Sequence, residues 1–132
     1  LNKEDACFYY ATAWNRLDPE VLIQVLDDDV TYSSQSVLAS MRGKEEVADY
    51  LRGKMATIRA DPAFKVFAQL AETQVYPMYT LPPESCVVLS QGEIDNLVAT
   101  VLFEVSETGI RAIHMCIIPP PHTTKLSGEF PD

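Results

Sequence analysis

Apolar positions along the 132-residue chain fall into two regimes, with helical spacing dominating the first half and two-residue alternation the second. Over residues 4–17, Cys7, Tyr10, Trp14 and Leu17 recur at steps of three and four, with Ala6 and Ala13 beside them. This spacing predicts a helix that buries an aromatic side. Asp18-Pro19-Glu20 reads as a fresh start, with Asp18 as N-cap, Pro19 in the first helical position and Glu20 at the positive end of the dipole. A short helix over 21–26 follows, ended by Asp27-Asp28-Asp29. Residues 30–34 are β-prone, with Val30, Tyr32 and Ser34 on one face and Thr31 and Ser33 on the other. The stretch through Leu38 and Met41 reads as a connection. Arg42-Gly43-Lys44-Glu45-Glu46 then opens a longer helix with acids in its first turn. Val47, Leu51, Met55 and Ile58 form its buried stripe, with Tyr50 alongside, and Asp61-Pro62 stops it because the residue before proline is pushed out of helical geometry.

From residue 63 the period changes to two. Residues 63–76 read as a long strand, although the alanines also permit helix, and 77–83 as a loop. Residues 86–91 form a second strand and 92–96 a turn. Two β-branched and aromatic runs, 97–105 and 110–118, flank the polar turn 106–109 and predict a long antiparallel hairpin. Alternation sends Ala112, His114 and Cys116 one way and Ile113, Met115 and Ile117 the other. Both faces are mostly apolar, so both call for cover. Pro119-Pro120-Pro121 cannot enter a central strand, which predicts an extended surface tail over 119–132 following a single domain over 1–118. Helices followed by a run of strands mean an α+β fold, with helices gathered on one face of a curved, largely antiparallel sheet that encloses an apolar cone.

Composition narrows the function. Hydrophobic residues make up 47% and charged residues 22%, as in an ordinary globular domain. Ten basic against 19 acidic residues leave a formal charge of −9, which opposes binding to nucleic acid or anionic membranes. No apolar run has the length of a membrane span, and no secretory leader pattern is visible. Cys7, Cys86 and Cys116 are an odd, widely spaced set, which suggests buried thiols in a reducing compartment, the cytoplasm by default. The Asp27-Asp28-Asp29 run lacks the spacing and downstream glutamate of a calcium loop and reads as a solvated turn. No metal or cofactor is expected.

His114 is the sharpest chemical candidate, because imidazole titrates closest to physiological pH, with Tyr10, Tyr32 or Ser34 as partners across the cone. The plain alternative is a hydrogen-bonded core histidine. Cys116 shares its face, but i and i+2 strand neighbours stand roughly 7 Å apart, which suits an inert thiol better than a nucleophile held against a base. His122 lies on the tail, and no third ligand for a metal accompanies them. Tyr10, Trp14, Tyr32, Tyr50 and Phe103 either line an apolar pocket with hydroxyls at its walls or fill the cone as core. Arg42 is placed to meet a ligand carboxylate or the nearby acids.

The run Tyr10-Ala-Thr-Ala-Trp-Asn-Arg-Leu-Asp18, the acidic Asp27-Asp28-Asp29-Val30-Thr31-Tyr32, Arg42-Gly43-Lys44-Glu45-Glu46-Val47, and the last strand from Gly109 to Ile118 resemble the nuclear transport factor 2-like superfamily. Within it, the chain resembles the SnoaL-like and ketosteroid-isomerase-like proteins. The resemblance implies a cone-shaped, cystatin-like roll of three N-terminal helices on a mixed, largely antiparallel sheet. Of the isomerase constellation only the tyrosine has a counterpart, Tyr10. The base position matches Ser34 and the acid position falls at or near Val101, and neither residue type can do that chemistry. The same alignment places Tyr50, Phe103, His114 and Cys116 towards the cone. The expectation is therefore a homodimeric protein that binds a small apolar or aromatic metabolite. His114 would serve as acid or base and Tyr10 or Tyr32 as oxyanion donors, in isomerase, cyclase or dehydratase chemistry. Trp14, Ser34, Tyr50, Met55, Val101, Phe103 and Cys116 would form the wall. The dimer is expected through the outer sheet face carrying Ile113, Met115 and Ile117, as is common in the superfamily. The alternative is a non-catalytic dimerisation or protein-interaction module with a filled cone.

Overall fold

A computed structural model describes residues 1–74 and 82–132, with the backbone alone over 37–39. Helix α1 (Lys3–Arg16) begins at a reciprocal capping box between Asn2 and Asp5. Helix α2 (Pro19–Ile23) starts at Asp18, whose side chain accepts from the Glu20 amide. Strands β1 (Leu26–Ser34) and β2 (Val37–Arg42) precede helix α3 (Lys44–Ala60), and β3 (Val66–Glu72), β4 (Ser85–Gln91), β5 (Leu97–Val105), β6 (Ile110–Cys116) and β7 (Lys125–Leu126) follow it.

The seven strands form one open mixed sheet in the order β2-β1-β6-β5-β4-β3-β7. Among the described strands, only β1 and β6 run parallel. Register shifts in the β1–β2, β1–β6, β4–β5 and β5–β6 pairs bend the sheet around the three helices. The result is the expected α+β roll.

Several boundaries differ from the sequence pattern. The predicted connection through Leu38 and Met41 is strand β2, which covers the otherwise open side of β1. The second helix ends three residues early, and Asp27-Asp28-Asp29 lies within β1 instead of in a solvated turn. The long strand expected over 63–76 runs only from Val66 to Glu72, and the part of it at 75–76, like most of the expected 77–83 loop, lies outside the described residues. The last strand stops at Cys116. The tail is not simply extended chain: it makes a 3-10 turn (Pro121–Thr123) and then adds β7 to the β3 edge.

Strand register settles which face is which. Tyr32 lies opposite Ile113, and Ile113 opposite Phe103, all three within the core under the helices. Ser33 lies opposite His114, and His114 opposite Leu102, on the other face. The alternation along β6 is thus as predicted, but its absolute sense is reversed. His114 and Cys116 point away from the cone, whereas Ile113 is fully buried in it and Met115 packs against it. The bulky side chains take the deep space beneath the helices, and the small Ala112 and Cys116 take the shallower outer side. Ile113 and Met115 therefore do not form an outer dimer surface.

Candidate functional site

The interior of the roll unites most residues expected to line a pocket. Trp14, Met55, Val101 and Phe103 join Tyr10, Leu51 and Tyr32 in one continuous core. The Tyr10 and Phe103 rings meet edge-on at 5.3 Å, Tyr10 and Trp14 stand 6.1 Å apart, and Tyr32 packs on Tyr50 at 5.4 Å. Among the described residues, Tyr10 Oη, Thr12 Oγ1 and Trp14 Nε1 are buried without a hydrogen-bond partner. Tyr32 Oη donates to Met115 Sδ at 3.1 Å, a weak acceptor. Burial, reinforced by neighbouring tyrosine hydroxyls, pushes the Tyr10 phenol well above its ordinary range, and burial does the same to Tyr32. Both are locked as neutral donors. Ser34, expected at the wall, bonds Ser36 instead.

The outer face holds the polar constellation. His114 sits on β6 between Ser33 of β1 and the carboxylate of Glu104 on β5. Ser33 Oγ lies 2.8 Å from His114 Nδ1, and Glu104 Oε2 lies 3.3 Å from Nε2. A register shift at Glu104 and Val105 leaves Arg111 as an extra residue in β6, and its guanidinium reaches Glu104 at 3.4 Å. The hydrogen bond from His114, followed by the charge of Arg111, holds the Glu104 carboxyl below the usual range, so it is an acceptor at neutral pH. In the neutral imidazole, Nε2–H then faces Glu104 and Nδ1 is left to accept from the Ser33 hydroxyl. Tyr10 and Tyr32 are on the far side of the sheet and do not share a site with His114.

Beside this relay lies a half-open groove of about 640 Å³. Ser33, His114 and Leu102 contribute to its floor, the start of the tail from Ile118 to Pro120 forms one wall, and Thr73, Gln74, Pro82 and Glu84 form another. Gln35 fixes the tail wall: its Oε1 accepts from the Ile117 and Ile118 amides at 2.6 and 2.9 Å, and its Nε2 donates to the Ile118 carbonyl. Thr100 Oγ1 donates to the Pro119 carbonyl at 2.8 Å, and the 3-10 turn packs on β5. The tail thereby covers the outward row Cys116, Thr100, Val88 and Gln69, all buried although outside the helix-side core.

The three thiols are free and buried. Burial raises Cys7 and Cys86 to about 12 and raises Cys116, so none is a thiolate at neutral pH. No cluster of three or more His, Cys, Asp or Glu able to hold a metal occurs among the described residues. Asp27 accepts from Ser106 and Thr108 hydroxyls at 2.5 Å each, a structural tie of the β5–β6 turn. No helix among the described residues is long and apolar enough to cross a membrane.

Comparison with solved structures rests on this architecture. A nuclear transport factor 2-like protein of unknown function from Cytophaga hutchinsonii superposes with a TM-score of 0.55 at 14% identity, over 90% of this chain and 94% of the other. The fold is that of the nuclear transport factor 2-like proteins. A SnoaL-like protein of unknown function from Burkholderia thailandensis gives 0.59 at 15% identity, over 86% of this chain and 92% of the other. A candidate ketosteroid isomerase from Kribbella flavida gives 0.55 at 15%, over 86% and 75%. No family profile matches the chain, and no curated protein matches it by sequence. At these identities the likeness establishes the nuclear transport factor 2-like fold and no reaction.

The partners of His114 escaped the sequence pattern. Glu104 had a signal, since it is the sole charged residue in the nine of β5. Ser33 had none, as serine on the polar side of a strand is ordinary.

Proposed function

We propose that this domain binds a small, neutral, largely apolar molecule in the outer-face groove, with His114 exchanging hydrogen bonds and a proton with it. The observation that carries this reading is an imidazole bonded on both ring nitrogens in the floor of a groove of ligand size. Leu102, Pro82, Ile118, Pro119 and Pro120 supply apolar surface, and His114, Ser33 and Gln74 supply a few polar points. The chain's formal charge of −9 disfavours anions, while Glu84 in the wall is paired with Lys3 at 3.5 Å. The interior aromatic set is a weaker place for a ligand, because its side chains are packed together.

The test is a titration of neutral aromatic and aliphatic alcohols, followed by the ring resonances of His114 and His122 and the Trp14 indole signal. Binding in the groove moves His114 most, and Ile118→Asp weakens it by about tenfold, the loss of one apolar contact with the ligand. Shifts at Trp14 that leave His114 unmoved would transfer the site to the interior. One observation favours a second reading as a homodimerisation module: Ile117 and Ile118 are 55% and 67% exposed beside the groove. Sedimentation that shows a dimer abolished by Ile118→Asp, with His114 unmoved by every ligand, would replace the first reading with this one.

A further inference from the structure

We infer that the groove performs acyl transfer from neutral, apolar esters, with Ser33 as nucleophile, His114 as base and Glu104 as its positioning residue. This rests on the reading of the groove as the ligand site. Ser33 and His114 line the groove, while Glu104 lies behind the imidazole and outside the lining. In the neutral ring, which donates from Nε2 to Glu104, Ser33 is the donor and Nδ1 the acceptor across 2.8 Å. The two residues are register neighbours on the paired strands β1 and β6, so the sheet sets their separation without help from a loop. Nitrogen usage is the reverse of the familiar serine hydrolase order, which the chemistry permits: one nitrogen takes the proton while the other keeps its own. Cys116 is no rival, since its thiol is buried, held neutral and directed to the His114 carbonyl.

In the first half-reaction Ser33 Oγ forms a bond to the ester carbonyl carbon as its proton passes to His114 Nδ1. Glu104 faces the imidazolium so formed. The carbon–oxygen bond to the alcohol then breaks, Nδ1 returns the proton to the leaving oxygen, and Ser33 is left acylated. In the second half a water molecule gives a proton to Nδ1 and adds to the acyl carbon. Ser33 leaves with that proton, and the carboxylic acid departs. The sum is ester plus water giving acid plus alcohol, with no change of oxidation state. Once ionised, the acid faces a chain of formal charge −9, which favours its release.

The experiment pairs 4-nitrophenyl butyrate with its uncleaved analogue N-(4-nitrophenyl)butanamide. The expected result is nitrophenol release and a butyryl group on the Ser33 peptide in acid-quenched protein. Ser33→Ala and His114→Ala should each lose about a hundredfold or more of the turnover with unchanged melting temperatures. Glu104→Gln should lower kcat while KM holds, and Glu104→Asp should restore part of it, a rescue that a purely structural role would not produce. Butyryl found only on other residues, or turnover that survives Ser33→Ala, overturns the proposal. If the anilide shifts His114 but no acylation follows, acyl transfer is wrong and the binding reading stands. If the anilide leaves His114 unmoved and nothing is acylated, both fail.

Discussion

Tyr10 shows how little a residue type says about its role. It matches the tyrosine of the isomerase pattern, yet its hydroxyl is buried without a partner among the described residues. A buried polar group in that state costs more than its removal, so Tyr10→Phe should stabilise the domain by about 1 kcal/mol. That corresponds to a melting temperature roughly 3 °C higher. A loss of stability in thermal melts would mean that the Tyr32 hydroxyl, the Trp14 indole or an internal molecule satisfies it. Ser33 is the converse case: an unremarked side chain that gains a chemical reading because an imidazole nitrogen lies 2.8 Å away. Three-dimensional neighbours, not identity, separate the two. The thiols follow the same logic, since Cys116 shares a face with His114 as its i+2 spacing requires but does not bond the ring.

The β5–β6 hairpin is the element that sets the relay, and its turn is tied from outside. Gly109, at φ 153°, lies so close to the chain entering β1 that a Cβ would run into the Val25 carbonyl oxygen, which also accepts the Ile110 amide at 2.8 Å. Asp27 secures the same turn through Ser106 and Thr108, and those two hydroxyls hold its carboxyl below the ordinary aspartate range. Its stabilising contribution is therefore complete above the unfolded aspartate value and disappears as pH falls through the lowered folded value. Asp27→Asn should cost about 2 kcal/mol at pH 7. It should also remove part of the acid destabilisation, so urea midpoints at pH 7 and pH 3 should differ less in the variant than in the parent. An unchanged difference would show that Asp27 is not the group responsible. The acidic run was visible in sequence, but its use was not, because its hydroxyl partners lie 79 and 81 residues away.

Across the whole molecule, the tail is what distinguishes the outer face. It leaves β6, crosses the sheet, pairs with the β3 edge and returns to the helix side, where Asn15 Nδ2 donates to the Pro131 carbonyl at 2.6 Å. The same Asn15 side chain exchanges two 2.8 Å bonds with the Ala68 backbone. Asn15→Ala should cost about 2–3 kcal/mol, the loss of three hydrogen bonds at a part-buried junction. It should also speed amide exchange at Leu126 and Ser127, measured by hydrogen-exchange mass spectrometry. Exchange confined to the Ala68 region would show that the tail is held by β7 alone. The tail thus covers part of the outer face, and among the described residues the groove and the exposed Ile117 and Ile118 lie beside it.

Taken alone, the order of apolar periods was enough for the α+β class, the helix stripes and the alternation along each strand, because these depend on local spacing of side chains on 3.6- and 2-residue repeats. Proline and the aspartate N-cap marked the start of α2 for the same local reason. The absolute facing of His114 was not local. Both sides of β6 are mostly apolar, and the choice fell to the pairing with Tyr32 and Phe103, whose rings need the deep space under α1 and α3. Strand β2 was hidden because its pairing partner β1, more than its own composition, makes it a strand. The relay of Ser33, His114 and Glu104 comes from three strands whose order in the sheet no local pattern encodes, and only the tertiary structure brought their polar atoms into reach.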